Sequence, residues 1–209
     1  MANTSATAGF LAPSSGLPPE DQALDELLQA LVVGVCGLPG ALVRPRWQSR
    51  PPPVPEPTTD FCAIGVLSEH SEPNISLVHT SNSAAYPQGF STSFDQDVVT
   101  VMASFYGPTA RGNAKLLRTG LMIAQNRETL YNSGLALMEM PGDTTFLPEI
   151  VNNQTLRRAD ITIMFRRRTA LVWPILNIVE MVGTLESDHG DGDLRDPLQT
   201  PASVNPLVE

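Results

Sequence analysis

The sequence predicts an α+β fold: an antiparallel or mixed β-sheet with two main helices packed on one face, plus extended arms and loops. Three observations carry this. Several stretches alternate apolar and polar residues at the period of two expected of a half-buried strand. Two stretches place apolar residues at helical spacing. Several strand-like stretches also follow one another without the helical crossover that a parallel sheet needs. The 209 residues are 42% hydrophobic, enough for one core of ordinary domain size. Nineteen prolines and fifteen glycines assign much of the remainder to turns, loops and arms.

Taken in order, residues 1–19 are small, polar and proline-bearing and read as a flexible N-terminal arm. A helix follows, with Leu24, Leu27, Leu28, Leu31, Val32 and Val35 on one stripe and Glu20, Asp21, Asp25 and Glu26 at its electropositive end. Gly34, Gly37 and Pro39-Gly40 stop it. Residues 42–47 are extended, and Pro51, Pro52, Pro53, Pro55 and Pro57 make residues 51–58 a stiff connector. Residues 60–67 and 74–79 are strand candidates, the latter with Ile75, Leu77 and His79 on one face, and 80–90 are polar and irregular.

Residues 92–106 form a long strand, with Val99, Val101, Ala103 and Phe105 facing one way and Val98, Thr100, Met102, Ser104 and Tyr106 the other. Gly107-Pro108 opens a second helix carrying Ala110, Ala114, Leu117, Leu121 and Ala124, and Asn126 caps a short turn over 127–131. A strand over 135–140 and a turn at Pro141-Gly142-Asp143 come next. Residues 156–168 alternate cleanly, Ala159, Ile161, Ile163 and Phe165 against Arg158, Asp160, Thr162, Met164 and Arg166. A last strand is expected within 173–185, its later half over 178–185, closing a domain of residues 20–185. Residues 186–209 are an acidic tail: Glu186, Asp188, Asp191, Asp193, Asp196 and Glu209 against Arg195.

The net charge of −9 disfavours a generic nucleic-acid binder, which leans on basic surface. No apolar run is long enough for a membrane-spanning helix. Residues 1–15 lack the positive start and apolar centre of a secretory signal, so the Asn-x-Ser/Thr matches at Asn3, Asn74 and Asn153 read as chance. Cys36 and Cys62 lie in apolar runs and read as buried free thiols in a reducing compartment.

Catalytic chemistry is weakly signalled. His70, His79 and His189 have no metal-ligand spacing, and Asp188, Asp191 and Asp193 miss the order of a calcium loop. Gly34-x-x-Gly37-x-x-Gly40 follows a helix where a dinucleotide site requires a strand. No cofactor, metal or catalytic residue is therefore assigned. Asp95 and Asp97 share a face, but two carboxylates on a solvated strand end need no catalytic role.

The cations say more. Twelve of the thirteen are arginine, Lys115 being the exception. Arg157, Arg158, Arg166, Arg167 and Arg168 bracket one strand, and Arg44, Arg46 and Trp47 form a second cluster. Arginine favours interfaces because its planar fork pairs with carboxylates in a fixed geometry. These eight residues are the candidate interface, although a strand with charged ends is equally ordinary on an exposed sheet.

Three separated motifs resemble the phage neck (tail) terminator family: Leu28–Gln48; Ser104-Phe105-Tyr106-Gly107-Pro108 with Leu116-Leu117-Arg118 and Ile123-Ala124-Gln125-Asn126-Arg127; and Asn153–Asp160 with Phe165-Arg166-Arg167. The resemblance covers roughly residues 22–185. It implies an α+β virion structural protein of a tailed phage, assembled in the host cytoplasm and resident in the neck. It also implies a ring, most often a hexamer, that caps the head-proximal end of the tail tube. The implied partners are its own copies, the tail tube protein, the sheath protein in a contractile tail, and head–tail adaptor or collar proteins. DNA would pass through the channel without sequence-specific binding. Within this frame Arg167, on the Ile163/Phe165 face, is expected to leave the core edge for an acidic group on a neighbouring subunit or on the tube or sheath. Two other classes fit the residues: an adaptor or collar of the same neck, distinguished by twelve-fold symmetry, and a hydrolase using Asp95, Asp97 or Glu139, which needs a cleft and a carboxylate of raised pKa.

Overall fold

The computed structural model describes residues 3–7, 9–81, 83–85, 87–151 and 154–178. Within them, seven strands form one mixed sheet: β1 (Val43–Pro45), β2 (Phe61–Ser71), β3 (Ser76–Thr80), β4 (Phe90–Tyr106), β5 (Leu135–Glu139), β6 (Thr145–Val151) and β7 (Gln154–Trp173). The helices are α1 (Asp21–Cys36), α2 (Ala110–Gly120) and α3 (Ala124–Asn132), with a 3-10 turn at Gly40–Leu42.

The spine is the antiparallel ribbon β4–β7, in register from Ser91 opposite Trp173 to Tyr106 opposite Arg158. Along the outer side of β4, β2 and β3 lie end to end, and along the outer side of β7, β6 and β5 do the same. The sheet is thus four long antiparallel rows, each outer row broken once, with β1 added parallel to β2.

Strict alternation in β4 and β7 sorts their side chains. Val99, Val101, Ala103 and Phe105 meet Ala159, Ile161, Ile163 and Phe165 on one face, all buried together with Cys62 and Ile64. Leu24, Leu28, Leu31 and Val32 of α1 and Ala110, Ala114 and Leu117 of α2 cover that face. Burying a side chain such as Leu28 or Phe105 contributes about 1.5–3 kcal/mol. The alanines of α2 let it lie close to the strands. Gly37, at φ 71°, ends α1 in the left-handed conformation and donates its N–H to the Val33 carbonyl. Asp60 fixes the start of α2 by accepting the Thr109 N–H at 2.8 Å and the Thr109 hydroxyl at 2.7 Å.

The α+β architecture agrees with the sequence, with three differences of detail. The stripe from Ala110 to Ala124 is two helices. Gly120 abuts α1 so closely that a Cβ there would lie 2.3 Å from Val35 Cγ1, and the chain breaks beside it. Asn126 lies inside α3 and ties the break by donating Nδ2–H to the Gly120 carbonyl at 2.8 Å. Secondly, β6 was not expected. Thirdly, Trp173 closes β7 and residues 174–178 are not strand, because Pro174 has no N–H for a ladder. Residues 179–185 and the acidic tail 186–209 lie outside the described residues.

The N-terminal arm runs beside the end of β7. Ser14 donates its N–H to the Val172 carbonyl, Ser15 Oγ accepts the Val172 N–H, and Ser5 Oγ accepts the Leu176 N–H. No helix among the described residues is long and apolar enough to cross a membrane.

Candidate functional site

Because the helices pack on one face, the other face of the β4–β7 ribbon carries Val98, Thr100, Met102, Thr162 and Met164 half-buried, with no helix laid over it among the described residues. Pairing register brings distant cations onto this open face. Arg44 and Arg46 follow the parallel β1–β2 pairing, and Arg158 lies opposite Tyr106.

At that end the Phe61 and Tyr106 rings stack at 4.5 Å and 6°. The Arg158 guanidinium lies 5.6 Å from the Tyr106 ring centre and Arg44 lies 5.8 Å from that of Phe61. Arg46 Nη2 donates to Ser104 Oγ at 2.5 Å, and Gly65 makes room, since a Cβ there would meet the Arg46 Cβ at 2.9 Å. Arg158 donates Nε–H to Asp160 at 2.8 Å and pairs with Glu149 at 3.1 Å. The Asp160 hydrogen bond holds Arg158 still more firmly protonated, while burial raises the Tyr106 phenol against the opposing pull of Arg158. Arg44 also donates to the Pro53 carbonyl at 2.9 Å, tying the proline-rich connector down beside the cluster. A pocket of about 180 Å³ lies here, lined by Arg44, Arg46, Pro51, Phe61, Tyr106 and Glu149 among others.

The remaining candidates scatter. Arg166 and Arg168 reach the same open face at its far end, Arg166 paired with Glu72 and Arg168 4.3 Å over the Phe94 ring. Arg157 is exposed near the start of α2. Trp47 stands at the β2 edge, 68% exposed, with its indole N–H on the Val66 carbonyl at 2.8 Å.

Arg167 differs from its neighbours. It is buried on the helical face, 2.8 Å from Glu20, 2.5 Å from Glu69 and 3.9 Å from Asp97. Asp97 also accepts from Ser71 Oγ at 2.6 Å. The expected excursion of Arg167 to a neighbour is not how the side chain sits: its carboxylates come from its own chain. Burial raises the Glu69 carboxyl, opposed by Arg167.

Sequence reasoning missed Phe61, Tyr106 and Asp160 as parts of the arginine cluster. Their one signal is parity, since Tyr106 and Asp160 fall on the same strand faces as Ser104 and Arg158.

The enzyme alternative finds little. Asp97 is engaged by Ser71 and Arg167, and Asp95 caps the Gln96 N–H. A groove of about 820 Å³ beside α1 does hold two carboxyls raised by burial, Asp25 and Glu69. The described residues lining it include no histidine, cysteine or lysine to act with them. No group of metal-ligating side chains occurs among the described residues.

The described residues thus place a helical layer on one side of the sheet and arginines with aromatics on the other. The family model of the phage neck terminator protein matches residues 22–190, from the first turn of α1 through the whole sheet, and the chain belongs to that family. No curated protein matches it. The protein is accordingly a structural component of the phage neck, located in the virion.

Proposed function

We propose that this protein caps the head-proximal end of the tail tube as a closed ring, most simply of six copies, and offers the docking surface for head-to-tail joining. The observation that carries the reading is the open sheet face. Met102, Met164 and Val98 lie there without a covering layer among the described residues, flanked by Arg44, Arg46 and Arg158 at one end and Arg166 and Arg168 at the other. Apolar centre and arginine rim together suit an interface, where arginine and aromatic residues are enriched. The family match over 22–190 supports the neck as its place.

In this reading the partners are further copies of the chain, the tail tube protein, the sheath protein where the tail contracts, and head–tail adaptor or collar proteins. DNA passes through the ring without sequence-specific contacts, consistent with a net charge of −9. Assembly takes place in the host cytoplasm.

The test is to incubate the purified chain with uncapped tail tubes and classify tube ends by cryo-electron microscopy. A six-fold ring at one end is expected. Twelve-fold symmetry beside the portal would move the protein to the adaptor class, and failure to bind tube ends at all would refute the capping role. The variant Met102→Glu with Met164→Glu, charging the open face without touching the core, is expected to melt normally and lose neck assembly.

A further inference from the structure

One helix face carries three cations without a carboxylate partner among the described residues. Arg111, Lys115 and Arg118 recur at i, i+4 and i+7 along the solvent side of α2, all exposed. None makes an ion pair among the described residues, whereas Arg158, Arg166 and Arg167 each hold at least one carboxylate. The Arg111 guanidinium lies 4.5 Å over the ring of Phe146, which anchors the stripe beside β6. Leu116, next to it on the helix, is 51% exposed. In a chain of net charge −9, three exposed cations in a row on one helix, without an ion pair among the described residues, suit an acidic surface.

The complement lies across the molecule. The 820 Å³ groove runs between the first turns of α1 and residues 45–50, bordered by Val66 of β2. Glu20 and Glu69 in it are occupied by Arg167, leaving Asp21, Asp25 and Glu26 against one lining cation, Arg50, among the described residues. The Asp25 carboxyl is raised by burial and, less, by Asp21 beside it. The exposed Trp47 indole flanks the groove. Strand order runs β1-β2-β4-β7, with β6 beyond β7, so groove and stripe stand at opposite edges of the sheet.

Two different surfaces at opposite edges make a head-to-tail contact, which propagates from copy to copy and closes into a ring if the rotation allows. We propose that the Arg111/Lys115/Arg118 stripe of one copy seats in the Asp21/Asp25/Glu26 groove of the next. Two helical surfaces meet, each with charges one turn apart, and Leu116 and Trp47 add apolar area to the same contact. The proposal rests on the ring reading above and names the surfaces that would build the ring.

Charge reversal tests it. One full-length variant carries Arg111→Glu, Lys115→Glu and Arg118→Glu; a second carries Asp21→Arg, Asp25→Arg and Glu26→Arg. Circular dichroism confirms that each is folded. Each alone is expected to lose at least about tenfold in self-association on tail tubes, through like-charge repulsion at every contact. Mixed in equal amounts, the acidic stripe of the first meets the basic groove of the second, and the basic stripe of the second meets the acidic groove of the first. Rings of strictly alternating copies are therefore expected, resolved by native mass. The wild-type contact should weaken as salt rises from about 0.05 M to about 0.5 M.

If either variant alone forms normal rings, the surfaces are wrongly assigned while the ring stands. If the mixture fails to co-assemble where wild type succeeds, the pairing is wrong. If wild type forms no ring on tubes, the ring reading falls and this proposal with it. Deleting residues 186–209 should leave association unchanged; its loss would give the cationic stripe to the chain's own acidic tail and overturn the head-to-tail pairing.

Discussion

Arg167→Met removes a buried guanidinium while keeping most of the apolar stem, so it isolates charge from packing. Arg167 faces three carboxylates, with its own side chain 6% exposed, Asp97 also 6%, Glu20 31% and Glu69 37%. Removing one side of a buried ion pair costs about 3–5 kcal/mol. Glu20 and Glu69 reach water, which lowers the expected cost to about 2–3 kcal/mol, chiefly that of leaving Asp97 without its cation. For a chain of this size that is a fall in Tm of about 5–10 °C.

The pH dependence has a definite sign. The Glu69 carboxyl is raised in the fold from 4.5, so its contribution is present at low pH and is lost as pH rises through the folded value. Arg167 opposes that rise. Without Arg167, Glu69 is pushed further up and the loss on raising pH grows. The gap in Tm between Arg167→Met and wild type should therefore be widest at neutral pH and narrow on acidification toward about pH 5. Thermal melts by circular dichroism across this range are the assay. The control Arg166→Ala breaks only the exposed pair with Glu72 and should cost about 0–1 kcal/mol. If Arg167→Met melts within about 2 °C of wild type at neutral pH, Arg167 is not a support of the subunit.

Three further outcomes follow from single contacts. Gly120→Ala drives a methyl into Val35 and should cost about 1–3 kcal/mol in a denaturant titration, with much of it recovered in Gly120→Ala/Val35→Ala. Both thiols should resist alkylation in the native state at neutral pH, since burial pushes Cys36 up to about 11 and Cys62 well above its ordinary value. Labelling should become fast only in denaturant; Cys62 is buried and Cys36, expected to be buried as well, is half-buried, so rapid native labelling of Cys62 would contradict its placement and of Cys36 its raised pKa. Truncation after Leu185 removes six acids and few apolar anchors, so the melting midpoint should stay nearly unchanged; a drop of about 10 °C would show that the tail packs on the domain.

The long strands were legible because β4 and β7 alternate without error over their middles, and period two is a strong signal when one face is buried. β6 was hidden by Phe146-Leu147 side by side and by Pro148 after them, which interrupt alternation. The break between α2 and α3 was hidden for a different reason. Leu121 and Ala124 continue the numerical stripe, and the approach of Gly120 to Val35 is a tertiary contact that periodicity does not encode. The strand expected beyond Trp173 rested on apolar content and underweighted Pro174.

The arginines show how far sequence carries a surface. Arg44-Pro45-Arg46 and Arg157-Arg158 read as two clusters more than a hundred positions apart; only the parallel β1–β2 pairing and the register of Tyr106 with Arg158 bring them to one face. Within β7, parity correctly separated Arg166 and Arg168 from Arg167, yet nothing local says that Glu20 and Glu69 converge on Arg167. Three consecutive arginines thus divide their work by the pleat. The middle one holds the end of α1 to the sheet, and its neighbours rim the open face. A register slip of one residue in β7 would exchange those roles, turning Arg166 and Arg168 onto the face of Val99 and exposing Ile163 and Phe165. The same buried alternation that fixes the core therefore fixes which cations remain on the open face for a partner.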